Sequence, residues 1–407
     1  MLGLPSVPAF CLRPRDVRRG AVLTLAFLAA VGAGACTGSW DRSGPEPFAG
    51  PAALVVGTGP SAAVPGPRAP AHRQAATADR DEVARAAAEA VAEGKSAKSA
   101  AQDVVSRSGD RWAAVYDQGE YEAFADDLDG HWTGVGLWAG RLRDGRIEID
   151  RVQPDSPAAR AGMRAGDRLL SIDGQGVTGL KVAEVVALLR GEAGTPVELK
   201  LTRGGADVTK TVRREKLRSE PVTVRELPGG ITVIKVASFT RGSGDRVRSA
   251  VRAAPAGGGV MLDLRGNTGG LVTEAVTAAS AFLDGGLVAT YDVRGAQRAL
   301  YATPGGDTAR PLVALIDGGT MSAAELVTGA LQDRGRAVAV GTRTFGKGSV
   351  QMPTELPDGS VAELTVGTYR TPAGRSLDGA GITPDLAAAD RVEERARTVL
   401  SGIGVGP

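Results

Sequence analysis

The chain has 407 residues, 43% hydrophobic and 23% charged, enough for two or three folded domains of ordinary globular composition. A net charge of +2 and 4% aromatic residues argue against a nucleic-acid partner, which needs a basic field and stacking platforms. The only cysteines are Cys11 and Cys36 and the only histidines His72 and His131, which leaves no basis for a multi-histidine zinc site.

Residues 1–20 carry Arg13, Arg15, Arg18 and Arg19, and residues 21–35 (AVLTLAFLAAVGAGA) are wholly apolar or small. A basic segment followed by an apolar run shorter than the ~20 residues of a membrane span predicts a signal peptide over 1–35 and export from the cytoplasm. Ala33-Gly34-Ala35 ahead of Cys36 fits either cleavage after residue 35 or a loose lipobox with Cys36 lipidated, so a lipid anchor on a membrane and free secretion both stay open. Both cysteines then fall in or at the edge of the leader, which excludes a disulfide framework or a cysteine metal site from the mature chain. Of residues 37–78, 26 of 42 are Pro, Gly, Ala or Ser without apolar periodicity, and a disordered tether is predicted over 36–78.

From Asp79 the pattern turns helical. Asp79 or Asp81 can cap a helix with Val83, Ala87, Ala90 and Val91 on one face, and Val104, Val105, Trp112, Val115 and Tyr116 follow. This predicts a small helical N-terminal region over 79–133, without chemistry of its own, and His131 and Trp132 read as packing residues. Next, "GVGLWAG" at 134–140 precedes an alternating strand (Ile147, Ile149, Val152) and "PDSPAARAGMRAGDRLLSIDGQ". An amphipathic helix (Val182, Val185, Val186, Leu189) and the strand Val197-Leu199-Leu201 complete the set. In this order they resemble a PDZ domain over 134–214. The resemblance implies that the backbone of Gly134, Val135, Gly136 and Leu137 receives the C-terminus of a polypeptide, which adds as a strand beside the helix.

After Glu215 the rhythm is strand, helix, strand. Strands are predicted at 231–239, 312–319 and 337–341, with "VMLDLRGNTGG" (260–270) running from a buried strand into a glycine turn, and helices at 244–254, 271–283 and 323–333, which makes an α/β domain with a partly parallel sheet over 215–390. Residues 391–407 form a tail with no assigned role. Three glycine-marked turns follow strands, where active-site loops gather. One is Arg265-Gly266-Asn267-Thr268-Gly269-Gly270. Another puts Ser322 at the mouth of a helix, where a hydroxyl can cap the helix or, with the exposed N–H groups and the dipole behind it, serve as a nucleophile.

The third turn, "GTRTFGKGSVQ" at 341–351, nearly spells a phosphate-binding G-x-x-x-x-G-K-[ST] loop, but Gly348 stands where Ser or Thr should hold Mg²⁺. A serine nucleophile needs a base, and no histidine is suitably placed. Lys347, flanked by Phe345, Gly346 and Gly348, can serve if burial lowers its pKa from ~10.4 toward ~7–8.

"MLDLRGNTGG", "GTMSAAELVTGALQDRGRAVAVGTRTFGKGSVQ" and "GRSLDGAGITPDL" resemble the motifs of the carboxy-terminal processing peptidases, or tail-specific proteases, and the likeness covers about residues 79–389. It implies a crotonase-like α/β core that carries the PDZ module and works without metal or nucleotide cofactor. Ser322 falls on the family's nucleophile, Lys347 on its general base and Gln351 on the residue that orients the base. The oxyanion amides fall on Ala323 and on Gly269 or Gly270, with Gly269 preferred. The implied function is that of an exported serine endopeptidase that binds polypeptides by their C-termini, as a monomer or an oligomer; a non-catalytic exported PDZ adaptor is the alternative. Three stretches depart from the family's habit, at four positions. Ala324 replaces a second serine, Met321 replaces alanine, and "RGNTGG" replaces "RNNPGG", whose missing proline predicts a looser oxyanion turn.

Overall fold

The computed structural model describes residues 77–142, 144–293 and 296–404. The segment expected to be a signal peptide, the expected tether up to residue 76, Cys36 and His72 lie outside the described residues. Among the described residues no helix is long and apolar enough to cross a membrane.

Helices α1 (Arg80–Ala92) and α2 (Ala97–Ser108) come first, then strand β1 (Ala114–Tyr116) and helix α3 (Gln118–Leu128). Asp79 starts α1 by accepting the N–H groups of Asp81 and Glu82 at 2.8 and 3.0 Å. Val83, Ala87 and Ala90 are buried as the periodicity predicts, whereas Val91 lies at the margin of that face and is exposed. The apolar faces of α1 and α2 share a core with Leu356, Ala362 and Leu364 from far along the chain.

Strand β2 (His131–Gly134) leads into an antiparallel unit. It comprises β3 (Leu137–Arg141), β4 (Ile147–Val152), the single turn α4 (Pro157–Arg160), β5 (Arg168–Ile172), β6 (Gln175–Gly176), α5 (Val182–Leu189), β7 (Pro196–Arg203) and β8 (Ala206–Arg213). The sheet order is β3-β4-β5-β7-β8 with β6 beside β5. Ile147 and Ile149, and Val197, Leu199 and Leu201, turn alternate side chains into one core, closed by Val185 and Leu189 of α5. Strand β9 (Glu215–Arg218) returns the chain to β2 in an antiparallel pair.

The remainder is built on a second sheet: β10 (Val222–Leu227), β11 (Ile231–Val236), α6 (Ser243–Ala253), β12 (Val260–Asp263), α7 (Val272–Ala279), the hairpin β13 (Leu287–Val293) and β14 (Ala296–Tyr301), β15 (Leu312–Ile316), α8 (Ala323–Asp333), β16 (Val338–Gly341), the hairpin β17 (Ser349–Glu355) and β18 (Val361–Arg370), β19 (Leu386–Ala387) and α9 (Val392–Gly402). The order is β10-β11-β12-β15-β16-β19, with β10 alone antiparallel to its neighbour. Val260 and Leu262 pack under α6, α7 and α8. Their alternates Met261, Val313 and Leu315 face Ala396 and Leu400 of α9. Strands covered on both faces read as continuous apolar runs, which is how they were legible. The C-terminal tail thus supplies the cover of the second face. The hairpins form their own sheet, β1-β18-β13-β14 with β17 on the other side of β18.

Candidate active site

The turns after β12, β15 and β16 meet at one edge of the parallel sheet, because the register aligns Asp263 with Leu315 and Ile316 with Gly341. In the first turn Asn267 is fully buried. Its Nδ2 donates to the Val236 carbonyl at 2.9 Å, and its Oδ1 accepts the Gly269 N–H at 2.8 Å. Its carbonyl accepts the Met321 N–H at 2.8 Å, so this turn is pinned to the one that carries Ser322. The turn expected to be loose without its proline is therefore held by asparagine.

Gly270 bridges Phe239, with Phe239 N–H donating to the Gly269 carbonyl and Leu271 N–H to the Phe239 carbonyl. A Cβ at 270 would collide with that carbonyl, and only glycine permits the approach at φ 127°. In such a parallel bridge Gly270's own N–H points away from Phe239, and it makes no hydrogen bond among the described residues. Gly269 lies against the serine: a Cβ there would come within 3.1 Å of Ser322 Cβ.

Ser322 has φ 56° and ψ −117°, a strained conformation for an L-residue with a side chain. It occupies the N-cap position of α8, yet its hydroxyl caps nothing: Oγ is buried and unpartnered. Its N–H goes to Glu325 Oε2 at 2.8 Å. The Ala323 N–H, first of α8, belongs to the unpaired N–H groups that open any helix.

Glu325 ties this turn to the third. Besides the Ser322 N–H, its fully buried carboxylate accepts Thr344 Oγ1 at 2.5 Å and the N–H groups of Gly346 at 2.7 Å and Lys347 at 2.8 Å. Burial pushes the carboxyl above its usual pKa against the pull of these donors. One side chain therefore fixes the backbone of Ser322 and Lys347 together.

Lys347 is 2% exposed. Burial lowers its pKa to about 8, opposed by the charges of Glu363, Asp110 and Glu325. Its Nζ lies 4.9 Å from the centre of the Trp112 ring, which in turn meets Phe345 edge-on at 5.8 Å. Gly348 is glycine for a steric reason: a Cβ would collide with Asp378 N, where the 377–381 segment crosses the turn. Gln351, wholly buried on β17, donates through Nε2 to Ser349 Oγ at 2.8 Å and Thr365 Oγ1 at 3.2 Å, while its Oε1 has no partner.

A cleft of about 760 Å³ runs from the groove between β3 and α5 to the first turn. Leu137, Trp138, Val182 and Val186 line one end, and Thr268, Gly269 and Gly270 the other. Of the four residues expected to receive a polypeptide C-terminus, Leu137 lines the cleft, and Gly134, Val135 and Gly136 are buried behind it. His131 and Trp132, read from sequence as packing residues, also line it.

Residues 230–388 match the model of peptidase family S41 and residues 148–203 that of a PDZ domain. The chain is 34% identical over 281 residues to a carboxy-terminal-processing protease of Bartonella bacilliformis, covering 66% of this chain and 64% of the relative. It is 32% identical over 284 residues to the carboxy-terminal processing protease CtpA of Bacillus subtilis, covering 69% and 61%. The chain thus carries a region similar to peptidase family S41 and resembles the carboxy-terminal processing proteases. The solved structure of a photosystem II D1 C-terminal processing protease matches with a TM-score of 0.49 and 29% identity over 76% of this chain and 87% of that one. The chain spans 61–64% of the length of the two named relatives.

Three residues around this site escaped the sequence reading. Glu325 carried a signal, since Ser322-x-x-Glu325 is a capping-box spacing. Trp112 and Glu363 carried none. Trp112 belongs to the region expected to hold no chemistry, and it covers the lysine. Glu363 is fully buried on β18 with both carboxylate oxygens unpartnered. Burial pushes it up to about 8, and Lys347 opposes the shift.

Proposed function

We propose that the chain is an exported serine endopeptidase that cleaves polypeptides near their C-terminal tails with a Ser322–Lys347 dyad. The observation that carries this reading is the pairing of an uncapping, strained serine with a buried lysine, both held by Glu325. A lysine with a pKa near 8 is partly neutral at physiological pH and can accept a proton, which an exposed lysine cannot.

In the proposed reaction neutral Lys347 removes the Ser322 proton as Oγ bonds to the scissile carbonyl carbon. The N–H groups of Gly270 and Ala323 receive the oxyanion, and Gly270 takes the place first given to Gly269, whose N–H is committed to Asn267. The tetrahedral adduct breaks its C–N bond, and the lysine ammonium protonates the departing amine. Lys347 then takes a proton from water as it attacks the acyl-enzyme, and the second adduct breaks its C–Oγ bond, with the lysine ammonium returning the proton to Ser322 Oγ as the acid leaves. Gln351 orients the lysine through Oε1.

The groove between β3 and α5 suits an added strand with an apolar terminus, and its continuity with Gly269 and Gly270 supports delivery of that chain to the nucleophile. In this reading residues 79–133 are the helical region, 134–214 the PDZ module and 215–390 a crotonase-like protease core. The leader places the protein outside the cytoplasm, by way of Cys36 lipidation or free secretion.

The test is to incubate wild type, Ser322→Ala and Lys347→Ala with a loosely folded protein ending in an apolar tail and to read the products by mass spectrometry. Fragments from wild type alone are expected. An inert wild type that still binds the tail would favour a PDZ adaptor.

A further inference from the structure

The turn Asp110–Trp112, between α2 and β1, reaches the base at two points. Trp112 lies over Lys347 Nζ. Asp110, 6% exposed, accepts the Thr365 hydroxyl at 2.8 Å on Oδ1 and the Thr365 N–H at 3.2 Å on Oδ2. The same carboxylate holds the turn's own N–H groups at Trp112 and Ala113, both at 3.1 Å, and that of Ala78 at 3.3 Å.

These bonds have a direction. A threonine hydroxyl has one proton, and here it is given to a carboxylate, which can only accept. Thr365 Oγ1 can then offer Gln351 only a lone pair, so the amide must turn its Nε2 toward it at 3.2 Å. The second Nε2 proton goes to Ser349 Oγ. Both amide donors are spent on β17 and β18, and Oε1 is left on the opposite side, buried and unpartnered.

We propose that Asp110 and Thr365 are positioning residues for the general base: the carboxylate from the N-terminal region sets the sense of the Thr365 hydroxyl, which fixes the Gln351 amide with its oxygen presented to Lys347. The helical region thereby completes the catalytic site. This rests on the dyad reading above. The charges that face Lys347 are Glu363 from β18, Asp110 from the turn and Glu325 from α8. A carbonyl oxygen favours the ammonium and an amide NH₂ disfavours it. Loss of the amide's orientation therefore lowers the lysine's pKa while leaving the amine badly aimed.

The experiment compares full-length wild type with Thr365→Val, which keeps shape without the hydroxyl, and Thr365→Ser, which restores it. For Thr365→Val, kcat on the alkaline plateau should fall about 10–100-fold with KM within about twofold. The ascending limb of the pH–rate profile should move down by about 0.5–1 unit. Thr365→Ser should recover both. A Thr365→Val enzyme with an unchanged plateau and limb overturns the proposal, and so does equal loss in both variants, which marks a structural role. A second arm needs no turnover: lysine labelled with ¹³C at Cε is titrated by NMR, with the Lys347 signal identified by its loss in Lys347→Met. The same downward shift in Thr365→Val is expected, and no shift refutes the proposal even if the protein proves not to be a peptidase. Failure of the dyad reading shows separately, as activity retained in Ser322→Ala.

Discussion

Lys347 is the residue whose environment says most. A lysine held at a pKa of about 8 against an ordinary 10.5 opposes folding, since the unfolded chain binds its proton more tightly. The cost is full below pH 8, roughly 3 kcal/mol, and fades as pH rises toward 10.5. Lys347→Met should accordingly abolish turnover yet raise the melting temperature at pH 7 by a few degrees, with a smaller gain at pH 10; calorimetry at the two pH values checks this. Loss of stability at pH 7 would count against a buried lysine. Glu363 sets the pH range of the same group. Its charge raises the lysine's pKa, so Glu363→Gln should move the ascending limb of the pH–rate profile to lower pH and leave the plateau near wild type. An unmoved limb would mean that the two groups do not titrate together.

At the scale of elements, three turns become one site because a few buried polar groups tie them together. Asn267 joins the first turn to the second, and Glu325 joins the second to the third. The resemblance of "GTRTFGKGSVQ" to a phosphate loop fails here for a steric reason, since the backbone of 377–381 packs where a residue-348 side chain would stand. Gly348→Ser completes the G-x-x-x-x-G-K-[ST] pattern, yet it should confer no ATP binding by calorimetry, cut turnover at least tenfold and lower the melting temperature. ATP binding by this variant would reopen the phosphate-loop reading.

Across the whole molecule, the cleft links the groove between β3 and α5 in one unit with the Thr268–Gly270 turn of another. Val186, half-buried on α5, lines the groove end of that cleft. A charge placed there would face the incoming apolar tail, so Val186→Glu should raise KM for a protein with such a tail about tenfold or more and lower kcat by much less. Equal effects on a substrate with and without the tail would disconnect the groove from substrate capture.

The apolar runs and alternations of 231–236, 260–263, 312–316 and 323–333 were legible because they answer to local periodicity and to burial on both faces of a sheet. So was the succession of strands and glycine turns that singled out Ser322 and Lys347. The hairpins at 287–301 and 349–370 were not predicted, since their burial patterns are irregular, with the 296–301 strand almost wholly exposed, and the pairs that join the two hairpins into one sheet link residues far apart in the chain. Distance along the chain likewise hid the groups around Lys347. Trp112, Asp110 and Glu363 are separated from Lys347 by up to 237 residues, and nothing in their local sequence distinguishes a covering indole or an orienting carboxylate from surface residues. The sequence by itself determined which elements form and which side chains can carry acyl-transfer chemistry. Only the tertiary structure decided which serine hydroxyl is left uncapped and how deeply the lysine is buried, because desolvation and hydrogen-bond direction depend on groups that meet only once the chain has folded.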